Sequence, residues 1–312
     1  MRVVMVNDCA YVGETILKHL PSDVEKQHVK RTRSLWSKTF GLSYKILKAQ
    51  GDVYHVHYLL QDCYVADRLG KRPLVGHAHG SDLRTVLKHP LWGRIVRHNL
   101  RKCDMIFVST PDLLDTARRS NDHVEYLPNP VDTELFYQKS SARQTGRKRV
   151  LIASPSNWTV KGTDIAIRAL SRIKNDVDAS IVAYGVDFDK TLTLASSLGL
   201  DLKILPIVTH ERLNAYYWDA DVVIDGFRLG ALGMVTLEAI ASGRTAMTYV
   251  SSQYPEYHDF PLKDIHTEEE IATALKNTDA ALWREQYDYL QTHHKPEIVA
   301  RQVFTAYHSV LH

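Results

Sequence analysis

Short apolar, β-branched runs alternate with longer amphipathic stretches along nearly the whole chain, and the alternation starts twice. Val3–Val6, Val53–His57, Leu74–His77, Met105–Ser109 and Val124–Leu127 read as strands with helical stretches between them. The pattern resumes with Val150–Ala153, Ser180–Tyr184, Leu202–Leu205 and a short run ending at Ile224. Their helices are expected from Thr163, Asp189, His210 and about Met234. Strands buried on both faces and joined through helices make parallel sheets between helix layers. The chain is therefore read as α/β, with two doubly wound domains whose ligands bind outside the carboxyl ends of the strands. Ser140–Arg149 is polar, basic and poor in bulky side chains, so the boundary is set there, giving domains 1–146 and 147–292. Residues 293–312 stand apart as one amphipathic helix, Pro296–Leu311, opened by its proline.

A chain of 312 residues is long enough for two such domains. No apolar run approaches the roughly 18 residues of a membrane span. Met1 leads directly into the strand-like RVVMV, so no secretory leader is expected. Cys9, Cys63 and Cys103 are odd in number and lack metal or redox spacing, which points to a reducing cytoplasm. The net charge of +3 conceals an asymmetry: residues 1–150 hold 25 Lys+Arg against 15 Asp+Glu, and residues 151–312 hold 14 against 21. The first half is expected to meet something anionic. No nucleic-acid recognition module is visible, so nucleic acid is not expected as a partner.

The stretch Ile224–Thr248 carries the clearest chemistry. A strand runs into a loop with Gly226, Gly230 and Gly233, then a helix from about Met234 to Ala241, ended by Gly243. Glycines let backbone approach a ligand, and the free N–H groups of a helix start favour a phosphate. Glu238, one turn inside, can accept two hydrogen bonds from a vicinal diol such as a ribose. Diphosphate at the helix start and ribose on the glutamate make a nucleoside-diphosphate site. The plainer alternative is a glycine-punctuated strand–helix–strand unit with Glu238 on a wet face. A second loop, SPSNWTVKGTD, places Lys161 before a helix that Thr163 or Asp164 can cap, where a mobile ammonium can serve a phosphate.

Other features divide between chemistry and architecture. His55 and His57, and His77 and His79, repeat an H-x-H spacing near strand ends, and with Asp82 they could form the metal site of a hydrolase. The reading preferred is hydrogen-bonding histidines, with His79 offered to a substrate. Asp187-Phe188-Asp189 and Asp219-Ala220-Asp221 invite a metal–diphosphate assignment, but a helix cap at Asp189 and a turn at Asp219 and Asp221 explain them better. The segment 30–48 interleaves basic residues with Trp36, Phe40, Tyr44 and Leu47. It is read first as a helix packing on the sheet, and second as a peripheral contact with an anionic membrane.

Taken together, HGSDLR (79–84), LPNPVDTELF (127–136), VKGTD (160–164) and GALGMVTLEAIASG (230–243) resemble the retaining glycosyltransferases of family 4. The resemblance runs through most of the chain. It implies the GT-B fold: two Rossmann-like domains facing a central cleft, with the final helix crossing back to the first. It further implies a nucleotide-sugar donor, UDP- or GDP-linked, on the second domain, a glycan or lipid-linked acceptor on the first, and no metal or other cofactor. By position, Lys161 would bind the donor diphosphate and Glu238 the ribose. The backbone of Gly233, Met234 and Val235 would complete the phosphate site, His79 would lie beside the transferred sugar, and Gly13 would approach the phosphates. Two departures stand out. Gly230 occupies the place of the family's first glutamate, and Ser156, Asn157 and Trp158 stand where a basic residue often precedes the lysine. Arg228 is the substitute expected for the latter. The rival readings are a nucleotide-sugar-binding shell without catalysis and a GT-B epimerase.

Overall fold

The structure is a computed structural model that describes residues 1–31, 41–139 and 146–312. Met1–Pro130 and His293–His312 form one unit, and Val131–Thr292 forms the other. In the first, β1 (Arg2–Val6), β2 (Glu25–Val29), β3 (Val53–His57), β4 (Leu74–Ala78), β5 (Met105–Val108) and β6 (Val124–Tyr126) lie in the order β2-β1-β3-β4-β5-β6. All neighbours are parallel. β3, β4 and β5 are buried at every position, as a sheet covered on both faces requires. Val4, Val6, Tyr54 and Val56 pack on one face against Ile46, Cys63, Val96 and Leu100 from three helices. Alternation turns Met5, His55 and His57 to the other face, where the C-terminal helix Pro296–Leu311 places the Tyr307 hydroxyl 2.7 Å from His55 Nδ1.

The second unit repeats the plan with β7 (Lys148–Ile152), β8 (Val177–Val182), β9 (Leu202–Leu205), β10 (Val222–Ile224) and β11 (Thr245–Met247), ordered β11-β10-β7-β8-β9. Its strands are also parallel. Val150, Ile152, Ile181, Val222 and Ile224 meet Ile167, Leu170, Ile271 and Leu275 in its core. In each sheet the strand order reverses once at an adjacent pair, β1 with β3 and β7 with β10. Those are the positions where doubly wound sheets open a crevice for ligands.

Three readings are revised. The strand Glu25–Val29 was not foreseen, because its sequence EKQHV is polar and only Val29 is buried at this sheet edge. The division falls between Pro130 and Val131 rather than at 146. Residues just beyond it are held by the second unit: Asn214 donates to the Leu135 carbonyl at 3.1 Å, Trp218 donates to that of Tyr137 at 2.9 Å, and the Phe136 ring lies 5.0 Å from that of His210. The helix starts also differ. Gly162, with no side-chain cap, opens Thr163–Arg172, while Thr163 Oγ1 accepts from the Asn157 amide; Asp187, not Asp189, stands at the start of Phe188–Ser197. Of segment 30–48, Leu42–Lys48 is helical with Leu42 and Ile46 buried, while Trp36 and Phe40 lie outside the described residues.

The bond from Tyr307 joins the last helix to a buried strand. Tyr307→Phe leaves His55 Nδ1 buried without that partner, and it is expected to cost about 1–3 kcal/mol. Urea unfolding followed by a probe in the first unit measures this.

Candidate functional site

The pairing of β7 with β10, Ile152 opposite Ile224, sends their two loops out side by side. Asn157 organises the first: its carbonyl accepts from the Lys161 amide at 2.8 Å, and its Oδ1 accepts from the Val160 amide at 2.9 Å. The second loop is tied to the first where the Phe227 amide donates to the Lys161 carbonyl at 2.7 Å. The Lys161 ammonium forms an ion pair with Asp225, the residue directly after β10, whose side chain is 2% exposed. Asp225 Oδ2 also accepts from Thr236 Oγ1 at 3.0 Å, inside the first turn of helix Met234–Ala241. Gly233 starts that helix. A Cβ there would overlap the Asp225 carboxylate and lie 3.2 Å from Lys161 Nζ, so only glycine lets these groups close up. No side chain caps the helix. Among the described residues the Met234 and Val235 amides have no acceptor, and the ammonium stands beside them.

Glu238 projects from the same helix, but it is not on a wet face. It is 3% exposed, with Oε1 2.9 Å from His210 Nε2 and Oε2 accepting from the Tyr217 hydroxyl at 2.8 Å. Burial and the neighbouring Glu238 raise the Tyr217 pKa well above that of a free phenol, so Tyr217 remains a donor. Each carboxylate oxygen therefore holds one partner and keeps one lone pair for a diol. At Gly230, the position of the family's first glutamate, the backbone has φ +65°, and a Cβ would come within 2.9 Å of Ser251 and 3.0 Å of Tyr249. The loop is thus built for glycine.

Arg228, far from Lys161 in the sequence, lies beside the lysine loop in space, with its Cγ 3.0 Å from where a Cβ of Gly162 would sit. Its guanidinium is turned to the helix start Thr163–Arg172, 3.4 Å from Asp164 Oδ2, and is half-exposed. The two D-x-D triplets have structural partners: Asp187 accepts from the Trp158 amide and Lys190, and Asp219 and Asp221 pair with Arg149.

At the other reversal point, between β1 and β3, the helix start is already filled. Asp8 Oδ1 accepts from the amides of Cys9 at 2.7 Å and Gly13 at 2.8 Å, and Oδ2 accepts from that of Glu14 at 3.1 Å. The amide of Gly13 is therefore committed to Asp8, and its Cα backs onto the His57 ring. Near it the two H-x-H pairs converge. His57 Nδ1 is 2.8 Å from His79 Nε2, and His55 Nε2 is 3.2 Å from His77 Nδ1. His57 Nε2 is 3.1 Å from Met5 Sδ, which can only accept, so Nε2 carries the His57 proton and Nδ1 accepts. That assigns the proton of the shared bond to His79 Nε2. His79 Nδ1 is left as a bare acceptor with no partner among the described residues. Burial drives the pKa values of His55, His57 and His77 well below normal and that of His79 to about 3. All four are neutral at pH 7.

Ring nitrogens of His55, His57 and His77 lie within 4.8 Å of one another, a spacing a metal could span. The geometry argues for core instead. The nitrogens of His55 and His57 are engaged by neighbours, and no carboxylate belongs to the group to offset a dication at positions of 0% exposure.

Residues 15–135 match the model of Glycosyltransferase Family 4, and residues 136–259 match that of Glycosyl transferases group 1. The chain belongs to this glycosyltransferase family. Mannosylfructose-phosphate synthase of Agrobacterium fabrum is 30% identical over 175 residues, which is 47% of this chain and 38% of that protein. The chain thus matches well under half of that relative's length. Sucrose-phosphate synthase of Thermosynechococcus elongatus superposes with a TM-score of 0.74 at 15% identity, covering 99% of each chain. HepE of Anabaena, solved in complex with UDP-glucose, superposes with a TM-score of 0.75 at 15% identity, covering 99% of this chain and 100% of its own. These likenesses show the fold, and the fold is GT-B.

Within this family 4 glycosyltransferase, Asp225, His210 and Tyr217 were not anticipated. An acid placed directly after a buried strand, at the same end as the lysine loop, was the available signal for Asp225. His210 and Tyr217 offered none, because their meeting with Glu238 depends on how two helices pack. Two predictions follow from the geometry. Gly230→Glu is expected to destabilise the second unit by about 1–3 kcal/mol without raising activity, since φ and space both oppose it; thermal unfolding and donor turnover check this. For the histidines, the unfolded chain binds protons below about pH 6.5 while the native rings do not. Stability is therefore complete above that pH and falls as pH drops toward the native values, by at most about 1.4 kcal/mol per pH unit for each histidine. Urea midpoints between pH 7.5 and about pH 5 test the slope, which His79→Gln should reduce.

Proposed function

We propose that the protein transfers a sugar from a nucleoside-diphosphate donor to an anionic or lipid-linked glycan acceptor, in the cytoplasm, with retention at the anomeric carbon and without a metal. The observation that carries this reading is the uncapped start of helix Met234–Ala241 with the Lys161 ammonium beside it. The amides of Gly233, Met234 and Val235 and the ammonium are fixed positive ends aimed at one place, and a diphosphate gains most there when it takes up charge as a leaving group. Glu238, backed by His210 and Tyr217, receives the ribose hydroxyls. His79 offers its Nδ1 lone pair to a hydroxyl of the transferred sugar. The acceptor oxygen bonds to the anomeric carbon on the face from which the diphosphate departs, and the acceptor proton passes to a departing phosphate oxygen. Arg228 supports the phosphates from the neighbouring loop. Gly13 packs directly against the His57 ring, its amide being held by Asp8. UDP is the favoured nucleotide, since a GT-B structure of like fold was solved with UDP-glucose.

Gly230 favours a second reading, a shell that binds nucleotide sugar without turning it over, because the carboxylate lost there cannot be regained on this backbone. Purified protein incubated with UDP- and GDP-sugars separates the two by release of free nucleoside diphosphate. Lys161→Ala is expected to lower transfer by about 10²–10³-fold and to weaken thermal stabilisation by UDP. His79→Ala should slow turnover while that stabilisation persists. Unchanged nucleotide affinity in both Lys161→Ala and Glu238→Ala would refute the donor site.

A further inference from the structure

Between Asp82 and Asp104 the chain contains no acidic residue but six basic ones. Arg84 is neutralised by Asp112 at 2.7 Å. The others, Lys88, Arg94, Arg97, Arg101 and Lys102, are all exposed and have no carboxylate partner among the described residues. Helix Trp92–Lys102 buries Gly93, Val96, Asn99 and Leu100 against the first sheet's helix layer. At 100° per residue this leaves Arg94, Arg97 and Arg101 on one outward stripe, about 10 Å long. At the helix's amino end, where Trp92 lies off the line of the stripe, Leu91 is 61% exposed and Trp92 is 41% exposed. Helix Gln61–Arg68 packs between this helix and Leu42–Lys48, which exposes Tyr44 and Leu47 beside Lys45 and Lys48. One helix layer therefore shows exposed basic side chains among unshielded apolar ones, while its acids Asp62 and Asp67 are paired with Arg31 and Arg72.

We propose that this face, led by Leu91, Trp92 and the stripe Arg94–Arg97–Arg101, rests on the surface of a bilayer containing anionic phospholipid. Arginine stripes answer lipid phosphates, while an exposed tryptophan and leucine enter to headgroup depth, the composition that distinguishes interfacial attachment from binding a soluble polyanion. No helix among the described residues is long and apolar enough to cross a membrane, so the contact is peripheral. The inference does not depend on the sugar-transfer reading. It moves the expected membrane contact from segment 30–48, most of whose described part is the flanking helix Leu42–Lys48, to a neighbouring face.

Co-sedimentation of the full chain with phosphatidylcholine vesicles, with and without about 30% phosphatidylglycerol, tests it at low and high salt. Binding is expected only to the anionic vesicles, and it should fall steeply as salt rises. The triple variant R94Q/R97Q/R101Q should bind about a hundredfold more weakly, at roughly fivefold per charge. L91S/W92S, which changes only exposed side chains, should bind at least tenfold more weakly. Normal stabilisation by UDP or an unchanged circular dichroism spectrum shows that each variant is folded. Failure of the wild-type chain to bind anionic vesicles, equal binding by either folded variant, or heparin binding that L91S/W92S leaves intact while vesicles are not bound, overturns the proposal.

Discussion

The hydrogen-bonded pairing of β7 with β10 is the constraint on which the candidate donor site depends. These strands are far apart in sequence, yet Val150, Leu151 and Ile152 run in register with Val222, Val223 and Ile224. Their loops therefore leave the sheet at one place, and Lys161 reaches Asp225. A buried carboxylate without a partner would be strongly destabilising, and Asp225 has two below the helix start, the Lys161 ammonium and the Thr236 hydroxyl. The same pair keeps the ammonium from extending into solvent. Lysine is thereby positioned before any ligand arrives, which lowers the ordering cost of binding.

The first unit shows what the same topology looks like when that place is filled. Its sheet also reverses order, and a helix starts beside the reversal, but Asp8 accepts there from the amides of Cys9, Gly13 and Glu14. An anion entering at Gly13 would meet a carboxylate already in possession. The two helix starts thus differ in what they can bind although the fold treats them alike: one offers donors, the other has spent them. Charge distribution does not predict this, since the more basic half of the chain contains the filled site.

Much of this was legible in the sequence. Short continuous apolar runs separated by helical stretches gave both sheets, and GALGMVTLEAIASG marked the helix of the candidate donor site, because glycine and the apolar stripe act locally. What escaped was set by tertiary contact. The strand EKQHV is held by pairing at an edge, not by apolar side chains of its own. The boundary moved because Leu135, Phe136 and Tyr137 find partners in a helix some eighty positions later. Glu238 was legible as a candidate ribose ligand, but nothing in its spacing announced His210 or Tyr217 beside it. The histidine pairs were visible, but their convergence across β3 and β4 required the register that places His57 opposite His77.

That convergence bears on a problem of assembly. The first unit is built from two distant pieces, and its last helix, starting at Pro296, must find one face of a sheet whose last strand ends at Tyr126. An all-apolar face would accept such a helix in several rotations or shifts, whereas a hydrogen bond from Tyr307 to His55 is satisfied in one. Hydrogen-bonded polar groups in a dry interior add little net stability but discriminate strongly among packings. His77 Nε2, buried and without a partner among the described residues, shows the cost of this arrangement. The row that begins at Tyr307 ends beside the row in which Met5 sets the proton of His57 and, through it, that of His79. Docking of the C-terminal helix and the tautomer of His79 are thus settled within one cluster of neutral rings.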